Sequence, residues 1–355
     1  MGAAGAAATA GPAGECERRD ASDALGVALL GACAAWALIT AAVRGGSPEG
    51  VLLAVLAVAA GYAGGRICGA LLPVAAPCAG AIAGLGLAVA APRLTLGPAS
   101  PLGHAGSTAG LLILSAGAAC CAAWAARTPA ARVALRVLAA GVAGTAVALG
   151  SPAAFAGCAL VLLCSLAAAH VRRRALGLAG LAAATALLTG LSWAVAENIL
   201  PDGLSASLEG RLGRQRVQLW RDALGLAERE PVLGVGPGRF GEVSPAVARN
   251  LLADGKPHSA PLQQACEQGL VGVALLAAVF GWLLYVLWRS PRSTQVVLSA
   301  GAALTALTAV ATVGNALSVT SVTAAAGLLA GIATARPLHD GSGDSSDSSG
   351  SGDSG

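Results

Sequence analysis

The chain has 355 residues, 55% hydrophobic and only 11% charged, where a soluble domain carries about 25% charged residues. No Asp or Glu occurs between Glu49 and Glu197, which excludes a water-exposed surface over that length and demands a lipid-facing one. The formal net charge of +4 is too small to point to nucleic acid.

Taken in chain order, residues 1–22 are Ala/Gly-rich and then read Glu15-Cys-Glu-Arg-Arg-Asp20. Acids stand where a cleavable signal needs only bases, so this stretch reads as a flexible tail. Apolar runs then predict helices near 24–43, 50–65, 70–91, 107–126, 133–149, 153–170 and 175–196. Gly61, Gly64 and Gly65 just before Arg66 make the second the weakest pattern of the set. A polar loop follows over 197–260, and three more apolar runs lie near 261–288, 295–313 and 317–335. From His339 the chain is a Gly/Ser/Asp repeat that cannot bury a core, so residues 336–355 read as a disordered tail. The expected fold is all-α: a polytopic transmembrane bundle of about ten helices with one large loop between the seventh and eighth.

Arginines set the orientation. With the N-terminus in the cytoplasm, one side receives Arg18, Arg19, Arg66, Arg127, Arg132, Arg136, Arg172, Arg173, Arg174, Arg289, Arg292 and Arg336. The short loops of the other side receive only Arg44 and Arg93. Positive charge stays inside, so both termini are expected in the cytoplasm and the 197–260 loop outside. The high Ala and Gly content suits close helix packing. The nine cysteines lie mostly in or beside apolar runs with no metal-binding spacing, and read as small packing residues.

The loop holds eight of the 22 basic residues and eight of the 18 acids. Its first motif, Glu209 to Glu230, carries an amphipathic stripe of Leu212, Val217, Leu219, Trp220, Leu224 and Leu226. That stripe predicts a helix resting on the membrane surface, with Arg211, Arg214, Arg216 and Arg221 crowding its first half. Such an Arg-rich face suits a lipid-linked phosphate and equally suits membrane headgroups. The second motif runs from Pro231 to Phe240, and Gly236, Gly238 and Gly241 match GxGxxG. No βαβ unit surrounds it, so it reads as a turn that brings backbone close to a neighbour. The third is His258-Ser259, followed after nine residues by Gly269 and then Gly272. A lone loop histidine is usually solvated surface; its company singles this one out.

From Arg216 to Gly272 the chain resembles the O-antigen ligase and polymerase family. That family's R-x-x-x-W is matched by Arg216 and Trp220, its glycine-rich turn by Pro231 to Phe240, and its H-[N/S/Q]-x9-G-x-x-[G/T/Y] by His258, Ser259, Gly269 and Gly272. The likeness is sharpest over about sixty residues and rests on topology elsewhere. The family's arginine after a serine at the end of the fifth helix is missing, since the chain there reads Gly150-Ser-Pro-Ala153. Its phosphate role would fall to Arg93 or another loop arginine. The resemblance implies transfer of a glycan from an undecaprenyl-diphosphate carrier to an acceptor hydroxyl outside the cytoplasmic membrane, by a ligase or polymerase. It implies His258 as general base and Arg216 on the diphosphate, with Arg214, Arg221, Arg239 and Ser259 as further substrate contacts. The expected partners are the lipid-linked glycan, a glycan or lipid acceptor and membrane lipids, and not nucleic acid. No cofactor is expected. The loop has no DxD or paired Asp to hold Mg²⁺ between phosphates, and Glu228 and Glu230 read as a solvated helix end. The alternative is a transporter or permease without transferase chemistry. Against it, the membrane segments hold no acid for ion coupling except Glu267, and no internal repeat is visible.

Overall fold

The computed structural model describes residues 12–94, 101–171, 173–197, 199, 213–248 and 255–336. Every regular element among them is helical. The elements are α1 (Pro12–Arg44), α2 (Glu49–Leu71), α3 (Ala75–Leu94), α4 (Pro101–Ala125), α5 (Pro129–Ala148), α6 (Pro152–Ala167) and α7 (Arg174–Ala196). Then come α8 (Arg214–Arg229), α9 (Phe240–Val243), α10 (Pro245–Ala248), α11 (Ala260–Arg289), α12 (Thr294–Val313), a 3₁₀ turn (Ala316–Ser318) and α13 (Thr320–Thr334). By length and composition seven of these can cross a membrane, and α3, α6 and α13 supply shorter apolar stretches. The protein is a polytopic helical bundle.

Two expectations change. Helix α1 starts at Pro12, so residues 12–22 extend the first helix where a loose tail was expected. The end of this extension is held: Trp282 Nε1 donates to the Ser22 carbonyl at 2.9 Å and Arg66 pairs with Asp23. Helix α2 does not stop at its glycines but runs on to Leu71. Gly61 and Gly65 lie on its packing face. A Cβ at Gly61 would lie 2.2 Å from the Ala324 carbonyl oxygen, and one at Gly65 2.3 Å from that of Leu328. The contact is reciprocal, because Gly327 and Gly331 of α13 meet the Val58 and Tyr62 carbonyls. Two backbones touch, an arrangement that only small residues allow and that drives association inside a bilayer.

Helices α4 and α12 are the most enclosed of the spans. Leu112, Ile113, Val142, Val161, Leu287, Val297 and Val322 pack around them in one buried core. The two ends of the bundle differ in chemistry. At one end arginines cap the carbonyls that helix C-termini leave without intrahelical partners. Arg292 donates to the Ala335 carbonyl at 2.8 Å and the Gly69 carbonyl at 2.6 Å. Arg174 reaches those of Ser290 at 2.6 Å and Arg292 at 3.1 Å. At the opposite end the α1–α2 turn meets the polar segment, where the Ser47 N–H donates to the Pro237 carbonyl at 3.1 Å.

Candidate functional site

The polar segment is built on α8. Val217, Trp220, Ala223, Leu224 and Ala227 are buried, while Gln218, Arg221 and Glu228 are exposed. The amphipathic stripe is present, but it faces protein where a bilayer surface was expected. It closes on Val195 and Ala196 at the end of α7, on Phe240, and on Leu262 and Cys266 of α11. Trp220 and Phe240 are almost fully enclosed, and two large rings buried this way seat the helix firmly. Asp222 ties down the next stretch by accepting from Ser244 Oγ at 2.7 Å and from the Ala246 N–H at 2.9 Å.

Helix α11 is broken. Gly269 has φ 69° and ψ −168°, so residues 260–268 form a half-helix and 270–289 continue separately. The break frees backbone groups that must find partners in a buried place. The glycine-rich turn supplies them. Val235 N–H donates to the Cys266 carbonyl at 2.8 Å, Gly236 N–H to that of Glu267 at 3.0 Å, and Leu270 N–H donates to the Pro231 carbonyl at 2.8 Å. The fit requires glycine on both sides. A Cβ at Gly269 would lie 2.2 Å from the Val232 carbonyl oxygen, and one at Gly234 2.5 Å from the Glu267 carbonyl carbon. Both positions also have positive φ, which other residues adopt only with strain.

His258 and Ser259 head the half-helix. His258 has φ 54°, the only positive value for a non-glycine among the described residues, and is 4% exposed. Ser259 occupies the N-cap position without capping; its hydroxyl is buried and makes no hydrogen bond. Arg216 sits one turn before Trp220 on α8. Its Nε is buried without a partner, and burial pushes the guanidinium's pKa down. Because α8 packs on the half-helix through Trp220, Leu262 and Cys266, Arg216 and the His258-Ser259 pair belong to one packed unit.

The other arginines are placed differently. Arg239 turns toward α1, donating to the Arg44 carbonyl at 2.5 Å and pairing with Glu242 at 3.2 Å. Arg221 is exposed. Arg214 opens α8, but its side chain lies outside the described residues, as do the Arg93 side chain and Arg211. Glu230 pairs with Arg44 and is not the free helix end expected of it. At the place of the missing fifth-helix arginine, Ser151 caps α6 by accepting from the Ala154 N–H. Sequence reasoning missed Arg44, Asp222 and Glu230, and it read Glu267 only as an acid in an apolar run. Gly269 at the break was visible in the motif, although its partner was not.

A many-helix membrane protein whose polar segment packs a half-buried Arg216 with a buried His258, at the end opposite its carbonyl-capping arginines, is the class that fold and site define. The model of the family described as O-antigen ligase matches residues 137–277, from within α5 to the first part of α11, and over this region the chain is similar to that family. No curated protein and no solved structure matches the chain.

Proposed function

We propose that the protein transfers a glycan from an undecaprenyl-diphosphate carrier to an acceptor hydroxyl on the outer face of the bacterial cytoplasmic membrane, without a metal. One observation carries this reading. The guanidinium of Arg216 is partly desolvated with its Nε unsatisfied, on a helix that packs against the half-helix headed by His258. A charge held this way is costly until an anion arrives, and a diphosphate supplies one in fork-matching geometry.

In the proposed step His258 takes the proton of the acceptor hydroxyl. The acceptor oxygen attacks the anomeric carbon of the glycan, and the bond from that carbon to the phosphate oxygen breaks. The diphosphate leaves with the electron pair, and Arg216 balances its charge. The buried setting of His258 and Ser259 keeps water from competing.

Protein in liposomes, given lipid-linked glycan from the producing cell and an acceptor glycan or lipid, is expected to release free undecaprenyl diphosphate and form the conjugate equally with and without EDTA. Carrier that stays loaded, or activity lost in EDTA and restored by Mg²⁺ or Mn²⁺, overturns the proposal.

The arginine bias predicts the orientation. In a cysteine-free background Val243→Cys, on the exposed α9 surface, is expected to react with a membrane-impermeant maleimide in intact cells. Labelling only after the membrane is opened reverses the assignment.

A further inference from the structure

Glu267, in the last turn of the half-helix, is 5% exposed. A carboxylate in such a place is tolerated only when it is hydrogen-bonded. Its donors are the Gly238 N–H and Gln263 Nε2 at 3.2 Å, with the Lys256 ammonium acting on it as a nearby opposite charge. Its own carbonyl also accepts the Gly236 N–H. One residue thus grips the glycine-rich turn twice, through main chain and side chain. Beyond the gripped pair lies Arg239, which reaches the end of α1.

We propose that Glu267 is a positioning residue for glycan transfer, whose carboxylate locks the glycine-rich turn across the half-helix that follows His258 by holding the Gly238 N–H. This rests on the reading of the polar segment as the transfer site. Both donors are amide N–H groups, so the Glu267 side chain serves them as an acceptor.

Two conservative variants separate the roles. Glu267→Gln keeps an acceptor oxygen at full reach and loses only the charge; its amide can be accommodated by turning that of Gln263. Glu267→Asp keeps the charge but withdraws it by about one bond length, ~1.5 Å, beyond hydrogen-bonding distance of Gly238. For the full chain in liposomes, Glu267→Asp is expected to lower kcat about tenfold or more with donor KM within about threefold, while Glu267→Gln stays within about threefold of wild type on both, the scale of one hydrogen bond lost or kept. A second measurement reads the turn without any chemistry. Trypsin nicking after Arg239 is expected to be about tenfold faster in Glu267→Asp and unchanged in Glu267→Gln. The reverse order, Asp active and Gln inactive, overturns the proposal in favour of a role for the charge. Equal behaviour of all three proteins overturns it as well. If wild-type protein transfers nothing, the function proposed above falls, and the nicking order alone decides whether Glu267 anchors the turn.

Discussion

His258→Ala is expected to lower transfer by roughly 10²–10⁴, the usual cost of losing a positioned general base, while the protein still binds the lipid-linked donor. A neutral imidazole is the side chain suited to taking a proton near neutral pH. The backbone adds its own argument. At φ 54° His258 holds a conformation that non-glycine residues avoid, at a cost on the order of 1–3 kcal/mol. Such strain persists only where the surroundings over-determine it, here between the glycine-rich turn's neighbours and a half-helix fixed by Leu262 and Cys266. A control follows from the same geometry. His258→Gly removes the side chain and relieves the strain, so it is expected to be at least as stable as wild type to heat and just as inactive as His258→Ala. Single-turnover transfer at equal protein, alongside donor binding and thermal unfolding of both variants, makes the comparison. Wild-type transfer by either variant reduces the histidine to loop surface and removes the catalytic half of the reading.

The spans were legible because long apolar runs have one stable outcome in a bilayer, a helix that satisfies its own backbone. Those from α4 onward fall within a few residues of the expected positions, apart from the early start of α4. What failed was the meaning of glycine. In a soluble chain, Gly61, Gly64 and Gly65 in sequence argue for a break. In this bundle, Gly61 and Gly65 let α2 touch the α13 backbone, and nothing local distinguishes a glycine that ends a helix from one that seats it. The converse held at Gly269, which does break its helix while Gly272, three residues on, does not.

The polar segment shows the same division. Of the expected stripe, Val217, Leu219, Trp220, Leu224 and Leu226 are buried and Leu212 lies outside the described residues, since periodicity records which face is covered. It could not name the cover, and protein took the place assigned to lipid. The contacts of Glu267, Arg44 and Asp222 were not legible because their partners are largely backbone groups or single charges far away in the chain. Arg44 pairs with Glu230 across 186 positions, and Gly238, which donates to Glu267, offers an N–H that every non-proline residue has. His258, Ser259 and Arg216 stood out only through the spacing of a known family. The physical reasons for their placement, a strained turn, an idle cap and a desolvated charge, exist only in three dimensions.

Arg216 offers the sharpest separation of stability from activity. Arg216→Ala is expected to weaken donor binding and turnover together, lowering kcat/KM roughly 10- to 100-fold, as expected for hydrogen bonds to a charged group worth about 1.5–3 kcal/mol. Arg216→Lys is expected to recover little, because an ammonium is a point charge and cannot present the two parallel N–H groups that match a phosphate. The effect on the fold should run the other way. In the protein without substrate, Nε of Arg216 is buried and unsatisfied, and burial already disfavours its charge. Replacing a desolvated charge by an apolar side chain of similar length removes that penalty. Arg216→Met is therefore expected to unfold at the same or a higher temperature than wild type while transferring as poorly as Arg216→Ala. A residue kept for structure gives the opposite pattern, with Arg216→Met losing stability and activity in step. Thermal unfolding and kcat/KM on the same preparations tell the two apart. A Lys variant with wild-type kcat/KM shows that the site needs positive charge alone and not the guanidinium fork.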